Sequence, residues 1–276
     1  MPNEKARKLL KQCEIDPRKK VEYPPVALSY GNKVIKTKTG NKVLKVPIGT
    51  YGNFSFIQAP PKSKKSFFVS LLASAYLASN HFSGEIRGNR EGRKLLHFDT
   101  EQAPFHASIG FRRVTDMSSV SDNYHTFALR QLSYKDRIIA IEQALIDFEN
   151  VGVLIIDGIA DLVSDVNDLE QSNLCVQKLM EWTARFNCHI ITVIHSNMGT
   201  SKPTGHLGSF LEKKAETQIE LELNNVHTDW VTVSCKRSRG YPFEKFSFKV
   251  NDFGLPELIG DIYDPLKDFN KNSTKA

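Results

Sequence analysis

The sequence predicts an α/β fold: a doubly wound, mainly parallel central sheet flanked by helices, with an antiparallel extension toward the C-terminus. Three observations predict it. Strand-like and helix-like stretches alternate from residue 53 onward. Two runs, VGVLIID (151–157) and CHIITVIH (188–195), are almost uninterrupted by polar residues, as strands are when helices cover both faces of a parallel sheet. Beyond residue 216 the pattern changes to TQIELELN, DWVTVSCKRS and EKFSFKV, alternating strands joined by short turns.

Each element has its own signal. Residues 1–45 are basic and polar. They read as a short helix followed by small strands, VALSY, KVIKT and KVLKVPI, with turns at Tyr30-Gly31-Asn32 and Thr39-Gly40-Asn41. GNFSFIQ is strand-like, and SFFVSLLASAYLA follows as a helix with Phe67 or Phe68, Leu71, Leu72 and Ala75 on one face. KLLHFDT and YHTFAL are further strands. KDRIIAIEQALIDFE is an amphipathic helix with Ile138, Ile141, Leu145 and Phe148 on its apolar side. LEQSNLCVQKLMEWTARFN is another, whose stripe of Cys175, Leu179, Trp182 and Phe186 is assigned to the core. The resulting organisation is an N-terminal helix and small strands over 1–45, an α/β core over 46–258, and a C-terminal tail over 259–276 that ends in DFNKNSTKA, read as polar and disordered.

Composition narrows the function classes. The 276 residues are 40% hydrophobic and 25% charged, ordinary for a globular protein. No apolar run reaches the length of a membrane span and the start lacks a signal-peptide core, so a cytoplasmic location is the default expectation, with no membrane partner. Cys13, Cys175, Cys188 and Cys235 are scattered without a C-x-x-C pair, which disfavours a zinc module or a disulfide framework. A net charge of +6 suits an approach to nucleic acid and equally suits a solvated basic surface.

In doubly wound sheets, ligands bind at the carboxyl ends of the strands, so those positions hold the candidate chemistry. After GNFSFIQ come Ala59, Pro60, Pro61, Lys62, Ser63, Lys64, Lys65 and Ser66. Laid against G-x-x-x-x-G-K-[ST], Lys65 and Ser66 take the lysine and hydroxyl places, while Ala59 and Lys64 stand where glycines are expected. The lysine can reach terminal phosphates, the serine can hold Mg2+, and the next helix offers its first amides to anions. A basic helix start is the alternative, and Lys64 needs a backbone conformation that costs a non-glycine residue some energy.

Glu101 follows KLLHFDT, placed either to orient and deprotonate a water or simply to cap a helix. Asp157 ends four apolar residues, the pattern of a strand whose carboxylate holds Mg2+ through its water shell. His195, with Ser196 and Asn197, ends the next buried strand and is either structural or a γ-phosphate contact. In SCKRSRGYPFEKF, Lys236, Arg237 and Arg239 crowd a turn between antiparallel strands: a charged hairpin tip, or cations presented to a neighbour's phosphate.

The stretches GNFSFIQAPPKSKKSFF, HFDTEQAPFH, IIDGIADLVSDVND, VIHSN, GHLGSFLEKKAET and SRGYPFEKFSFKVNDFGLPEL, in this order, resemble the RecA-like P-loop ATPases, specifically the RepA/DnaB-like branch of hexameric replicative helicases. They are more similar still to the AAA-family ATPases of Bacteroidetes mobile elements and phages. The resemblance implies Lys65 and Ser66 on ATP and Mg2+, Glu101 as catalytic base and Asp157 on the metal. It also implies His195 as phosphate sensor, and Arg239 with Lys236 as finger residues acting across a subunit boundary. Arg112-Arg113 stands where relatives carry basic residues that contact nucleotide or a neighbour.

The function expected is an ATP-hydrolysing, DNA-associated motor or loader. It would act as a ring homo-oligomer, its ring size left open with the hexamer as one possibility, on single-stranded DNA, with GTSKPTGHLGS as a mobile loop facing a central channel. The alternative is an ATP-binding regulatory or assembly factor with little hydrolysis, against which the glutamate at 101 argues.

Overall fold

The computed structural model describes residues 3–38, 40–79, 85–197, 200, 202–224, 227 and 229–259. In chain order the elements are α1 (Glu4–Cys13), β1 (Val26–Thr37), β2 (Gly40–Thr50), β3 (Phe54–Ala59), α2 (Lys65–Ala78), β4 (Ile86–Gly88), β5 (Lys94–Asp99), α3 (Pro104–Ser118), β6 (Tyr124–Ala128), α4 (Tyr134–Asp147), β7 (Val151–Asp157), a 3-10 turn (Ile159–Leu162), α5 (Leu169–Phe186), β8 (His189–His195), α6 (Gly205–Lys214), β9 (Thr217–Leu223), β10 (Trp230–Ser238), β11 (Phe246–Val250) and β12 (Pro256–Ile259).

Among the described residues the main sheet runs β12-β11-β10-β9-β3-β8-β7-β5-β6, and a smaller sheet runs β2-β1-β4. The strands from β9 to β6 are mutually parallel, and β10, β11 and β12 extend the edge antiparallel. The chain leaves β3 and enters the far side of the sheet at β5, leaving β7 and β8 to fill the gap. Such a reversal opens a crevice at the carboxyl ends of the strands.

The buried strands work as their sequences require. Val153 and Ile155 of β7 join one core cluster with α2, and Leu154 and Ile156 join the other with α5, so each face of the strand is covered. The first cluster also takes in Ala27, Leu28 and Tyr30 of β1, Val46 and Ile48 of β2, and Phe246 and Phe248 of β11. The small sheet therefore packs on α2, and α2 is buried without a break from Phe68 to Leu77 instead of along one stripe. Its buried serines are satisfied internally: Ser70 and Ser74 each donate to the carbonyl four residues back.

Three sequence expectations change. Tyr30-Gly31-Asn32 is no turn: β1 runs through it, and Gly31 (φ 66°) sits at a break in the β1–β2 register, where a glycine lets the strand bulge. The hairpin does turn near Gly40, which pairs with Thr37; Thr39 lies outside the described residues. β9 belongs to the parallel part of the sheet, beside β3, because α6 supplies the crossover a parallel connection needs. GTSKPTGHLGS is half helix, α6 beginning at Gly205, and the segment before it is tied back by Asn197 N to Lys202 O (2.8 Å) and Thr204 N to His195 O (3.0 Å). α3 is an additional element without a sequence signal: only Ala107, Val114 and Ser118 of its fifteen residues are buried, too weak a stripe to read. Residues 260–276, which include the tail expected to be disordered, lie outside the described residues.

Candidate functional site

Four parallel strands bring the candidate residues together. Ala59, the last residue of β3, pairs with His195 at the end of β8, and Asp99 at the end of β5 pairs with Asp157 at the end of β7. Strand ends in register put the side chains that follow them on one rim.

The loop from Pro60 to Lys64 takes up its shape without glycine. Lys62 (φ 62°) and Lys64 (φ 60°, ψ 31°) are both left-handed, and Lys64 is the N-cap residue of α2. Left-handed backbone costs an L-residue on the order of 1–2 kcal/mol, and local bonds hold the loop there. Ser63 is buried and donates to the Pro60 carbonyl at 2.6 Å. The Lys64 ammonium donates to the Asp229 carbonyl at 2.6 Å. The first amides of α2, at Lys65 and Ser66, have no intrahelical acceptor and point out of the helix start, where an anion can receive them.

Lys65 reaches back over its loop. Its ammonium lies 3.3 Å from the Pro60 carbonyl and 3.0 Å from His195 Nδ1. Burial lowers its pKa, opposed by the charges of Glu101 and Asp157. An ammonium can only donate, so with Lys65 charged, His195 Nδ1 accepts and its other nitrogen carries the hydrogen. That nitrogen, Nε2, faces Glu101 Oε1 at 3.8 Å. The His195 ring beside it holds the Glu101 carboxyl below the usual carboxylate range, with Lys65 contributing. Lys65, His195 and Glu101 thus form one chain of contacts across the mouth of the crevice.

Behind them lie the buried acids. Ser66 Oγ is 3.3 Å from Asp157 Oδ2. Asp157 is pushed up to about 7, first by burial and then by the charges of Asp99 and Glu101. Asp99, also buried, accepts from the amides of Glu101 (3.0 Å) and Gln102 (2.8 Å) and from the Gln102 side chain (3.0 Å), which fixes the turn that carries Glu101. Thr100 Oγ1 lies within 3.1 Å of the carbonyls of Asp157 and Gly158 and of Asp161 Oδ2, pinning the ends of β5 and β7 together. Gly158 (φ 111°) is required there: a Cβ would stand 2.2 Å from Thr100 Oγ1 and 2.9 Å from Glu101 Cγ.

Three carboxylates, Asp99, Glu101 and Asp157, therefore face a single nearby ammonium, Lys65. A divalent cation fits this imbalance: it would offset the ionised Asp157 that burial disfavours. Among the described residues no three His, Cys, Asp or Glu side chains form a chelating group. Mg2+ keeps several waters and takes one or two protein oxygens together with substrate phosphates. Ser66 and Asp157 are the residues that would hold it, and Lys65 with the α2 amides would receive the phosphates.

The other candidates are placed elsewhere. Arg239 N donates to Glu216 O and its guanidinium to Lys214 O, at 2.9 Å each, against the end of α6. Lys236, within β10, is paired with Glu220 at 2.9 Å, and Glu220 also accepts from Gln58 of β3 at 2.7 Å. Arg113 stacks on Phe67 at 3.9 Å and donates to Ser70, so it braces α3 on α2, while Arg112 is exposed. Sequence reasoning missed Asp99, Thr100 and the need for Gly158. Asp99 was visible as an acid ending an apolar run, in the same form as Asp157.

No curated protein matches the chain. No helix among the described residues is long and apolar enough to cross a membrane. A family model described as AAA domain matches residues 41–201, a span that contains Lys65, Ser66, Asp99, Glu101, Asp157 and His195. With more than half its length matched, the chain belongs to the AAA domain family and is an ATPase of the P-loop class.

Proposed function

We propose that the protein hydrolyses ATP as a RecA-like motor or loader, assembled as a ring of identical subunits and coupled to single-stranded DNA. The observation that carries the hydrolytic part is the contact chain Lys65–His195–Glu101 above the Ser66–Asp157 pair. A pure nucleotide binder needs Lys65 and Ser66; it has no use for a carboxylate held ionised beside the phosphate position. Glu101 is such a carboxylate: it is set by Asp99, kept acidic by His195, and able to take a proton from water.

Lys65 and the helix amides stabilise charge on the transferring and leaving phosphates. Mg2+, when bound, supplies further positive charge at the phosphate oxygens. His195 bridges the phosphate-side lysine and the base, so a phosphate that draws Lys65 away changes the partner of the ring that faces Glu101. That is the sensing role given to His195. In a ring of identical subunits Arg239, with Lys236, is the candidate for completing a neighbour's site. The net charge of +6 supports contact with a polyanion.

The test is Glu101→Gln. Loss of a general base lowers turnover by roughly 10²–10⁴-fold, while binding of a fluorescent ATP analogue should stay within a few-fold of wild type. Turnover equal to the parent's would leave a nucleotide-binding regulator as the better reading. Mass measurement with ATP analogue and an oligonucleotide tests the ring; a monomer under all conditions removes that part.

A further inference from the structure

The longest stretch of the chain without an acidic residue runs from Tyr23 to Gly84, and it carries eight lysines. Three of them belong to the phosphate loop. The other five, Lys33, Lys36, Lys38, Lys42 and Lys45, lie on the ribbon formed by the ends of β1 and β2, and all five are exposed. None forms an ion pair among the described residues. A solvated basic face is normally interspersed with acids; this one repels itself.

Register shows how the ribbon is turned. Lys33 pairs across from Leu44, and Ile35 from Lys42, so Lys33 and Lys42 share one face; Lys45, opposite Asn32, belongs to the other face and meets the groove at the edge strand β2. The Lys33 ammonium sits 4.2 Å from the centre of the Tyr241 ring, which directs that face toward the β10–β11 connection. Between the two lies a groove of about 790 Å³ lined by Tyr23, Lys42, Lys45, Arg239 and Tyr241 along with apolar ribbon residues, and no carboxylate lines it. Both tyrosines are exposed, Tyr23 at 64% and Tyr241 at 42%.

We propose that this groove binds a single strand of nucleic acid, its phosphates on Lys42 and Lys45 and its bases against Tyr23 and Tyr241. The lining combines the two features that hold single strands without reading sequence: a cationic track for the backbone and aromatic faces for stacking. An acidic peptide would match the charge and leave the rings unused. A duplex would match the charge and offer no free base face. The proposal names the contact surface for the nucleic-acid part of the function proposed above, and rests on that reading for its partner.

The test is fluorescence anisotropy of the full chain with a labelled 20-nucleotide dT strand, without nucleotide, over a salt series. Wild type should bind, and the Lys42→Glu/Lys45→Glu double variant should bind at least about 10-fold more weakly. Its log–log salt slope should be shallower by roughly 1.4, two phosphate contacts at about 0.7 each. Tyr241→Ala should weaken binding about 5- to 150-fold, the range for one lost base stack, and Tyr241→Phe should restore it. Thermal melts matching wild type show that the variants fold.

Wild-type affinity in the double variant overturns the proposal, as does equal competition by poly-glutamate or by duplex of the same length. The two readings separate cleanly. Hydrolysis of ATP by a wild type whose binding to dT ignores the groove variants sinks the groove alone. Groove-dependent binding by a chain that hydrolyses no ATP sinks the ATPase coupling alone.

Discussion

Replacing Asp157 by asparagine should make the nucleotide-free protein more stable, and increasingly so as the pH rises. Asp157 is 7% exposed and in register with buried Asp99. Its carboxyl is pushed up to about 7, against an ordinary value of 3.8. Between those values the folded state holds more proton than the unfolded chain, so stability falls as the pH rises through the window. The contribution is fully present below about 3.8 and is gone above about 7. Going from about pH 5 to about pH 8 crosses roughly two units of it, and at 1.36 kcal/mol per unit the loss is about 2.7 kcal/mol. Asparagine keeps the shape and carries no charge, so the variant does not share the loss. Urea melts of both proteins in EDTA across this range should show their difference in unfolding free energy growing by about that amount, or roughly 5–10 °C in Tm. Under the proposed function, hydrolysis by the variant should collapse, since the carboxylate assigned there to the metal is gone. A stability difference that stays flat with pH would refute the reasoning, because it would mean that Asp157 ionises in the folded protein as easily as in the unfolded chain.

Further outcomes follow from the backbone of the site. Lys64→Gly removes the left-handed strain and the Asp229 contact together, so it should leave Tm within a few degrees of wild type and keep ATP hydrolysis; Lys64→Val, β-branched at φ 60°, should cost roughly 2 kcal/mol or more by thermal melt. Gly158→Ala should cost roughly 2–4 kcal/mol, and because the new methyl pushes on Thr100 and Glu101 it should lower turnover more than nucleotide affinity in steady-state kinetics. Taken with the Glu101→Gln kinetics and the groove titration, these separate the proposed base, the loop and the proposed nucleic-acid surface.

What could be read in the sequence was what has a short period. VGVLIID and CHIITVIH announce buried strands because both of their faces are covered, and the polar residue that ends each one is a position rather than a guess. Asp157 and His195 follow from that alone. α3 and α6 escaped for the opposite reason. α3 buries three residues of fifteen, and α6 begins at a glycine whose left-handed φ of 67° and close approach to the Val166 carbonyl, 2.6 Å from a would-be Cβ, make it look like loop. Missing α6 then hid the parallel pairing of β9, since only a crossover helix returns the chain in the same direction. Asp99 ends an apolar run as Asp157 does, and its indirect work, holding the amides that aim Glu101, is a contact that only the fold displays.

The glycine-poor loop shows where sequence templates and physics part. A template asks for glycine at 64 because the backbone there is left-handed, and the backbone is left-handed with lysine present. The fold meets that cost on the order of 1–2 kcal/mol by anchoring: Ser63 on Pro60, Lys64 on Asp229, and Ala59 accepting from Ser196 N at 3.1 Å. The same anchoring decides which lysine can add charge at the phosphates. The Lys64 ammonium is committed to a carbonyl on the β9–β10 connection. Lys62 is exposed, equally left-handed, and without an ion pair among the described residues. Ala59 and Lys64 keep the amides that glycines would offer, whereas Pro60 and Pro61 have none, so any extra cation the loop supplies in their place comes from Lys62. Lys62→Ala should then weaken ATP more than ADP, whereas an equal loss for both would assign the loop's affinity to Lys65 and the helix amides alone.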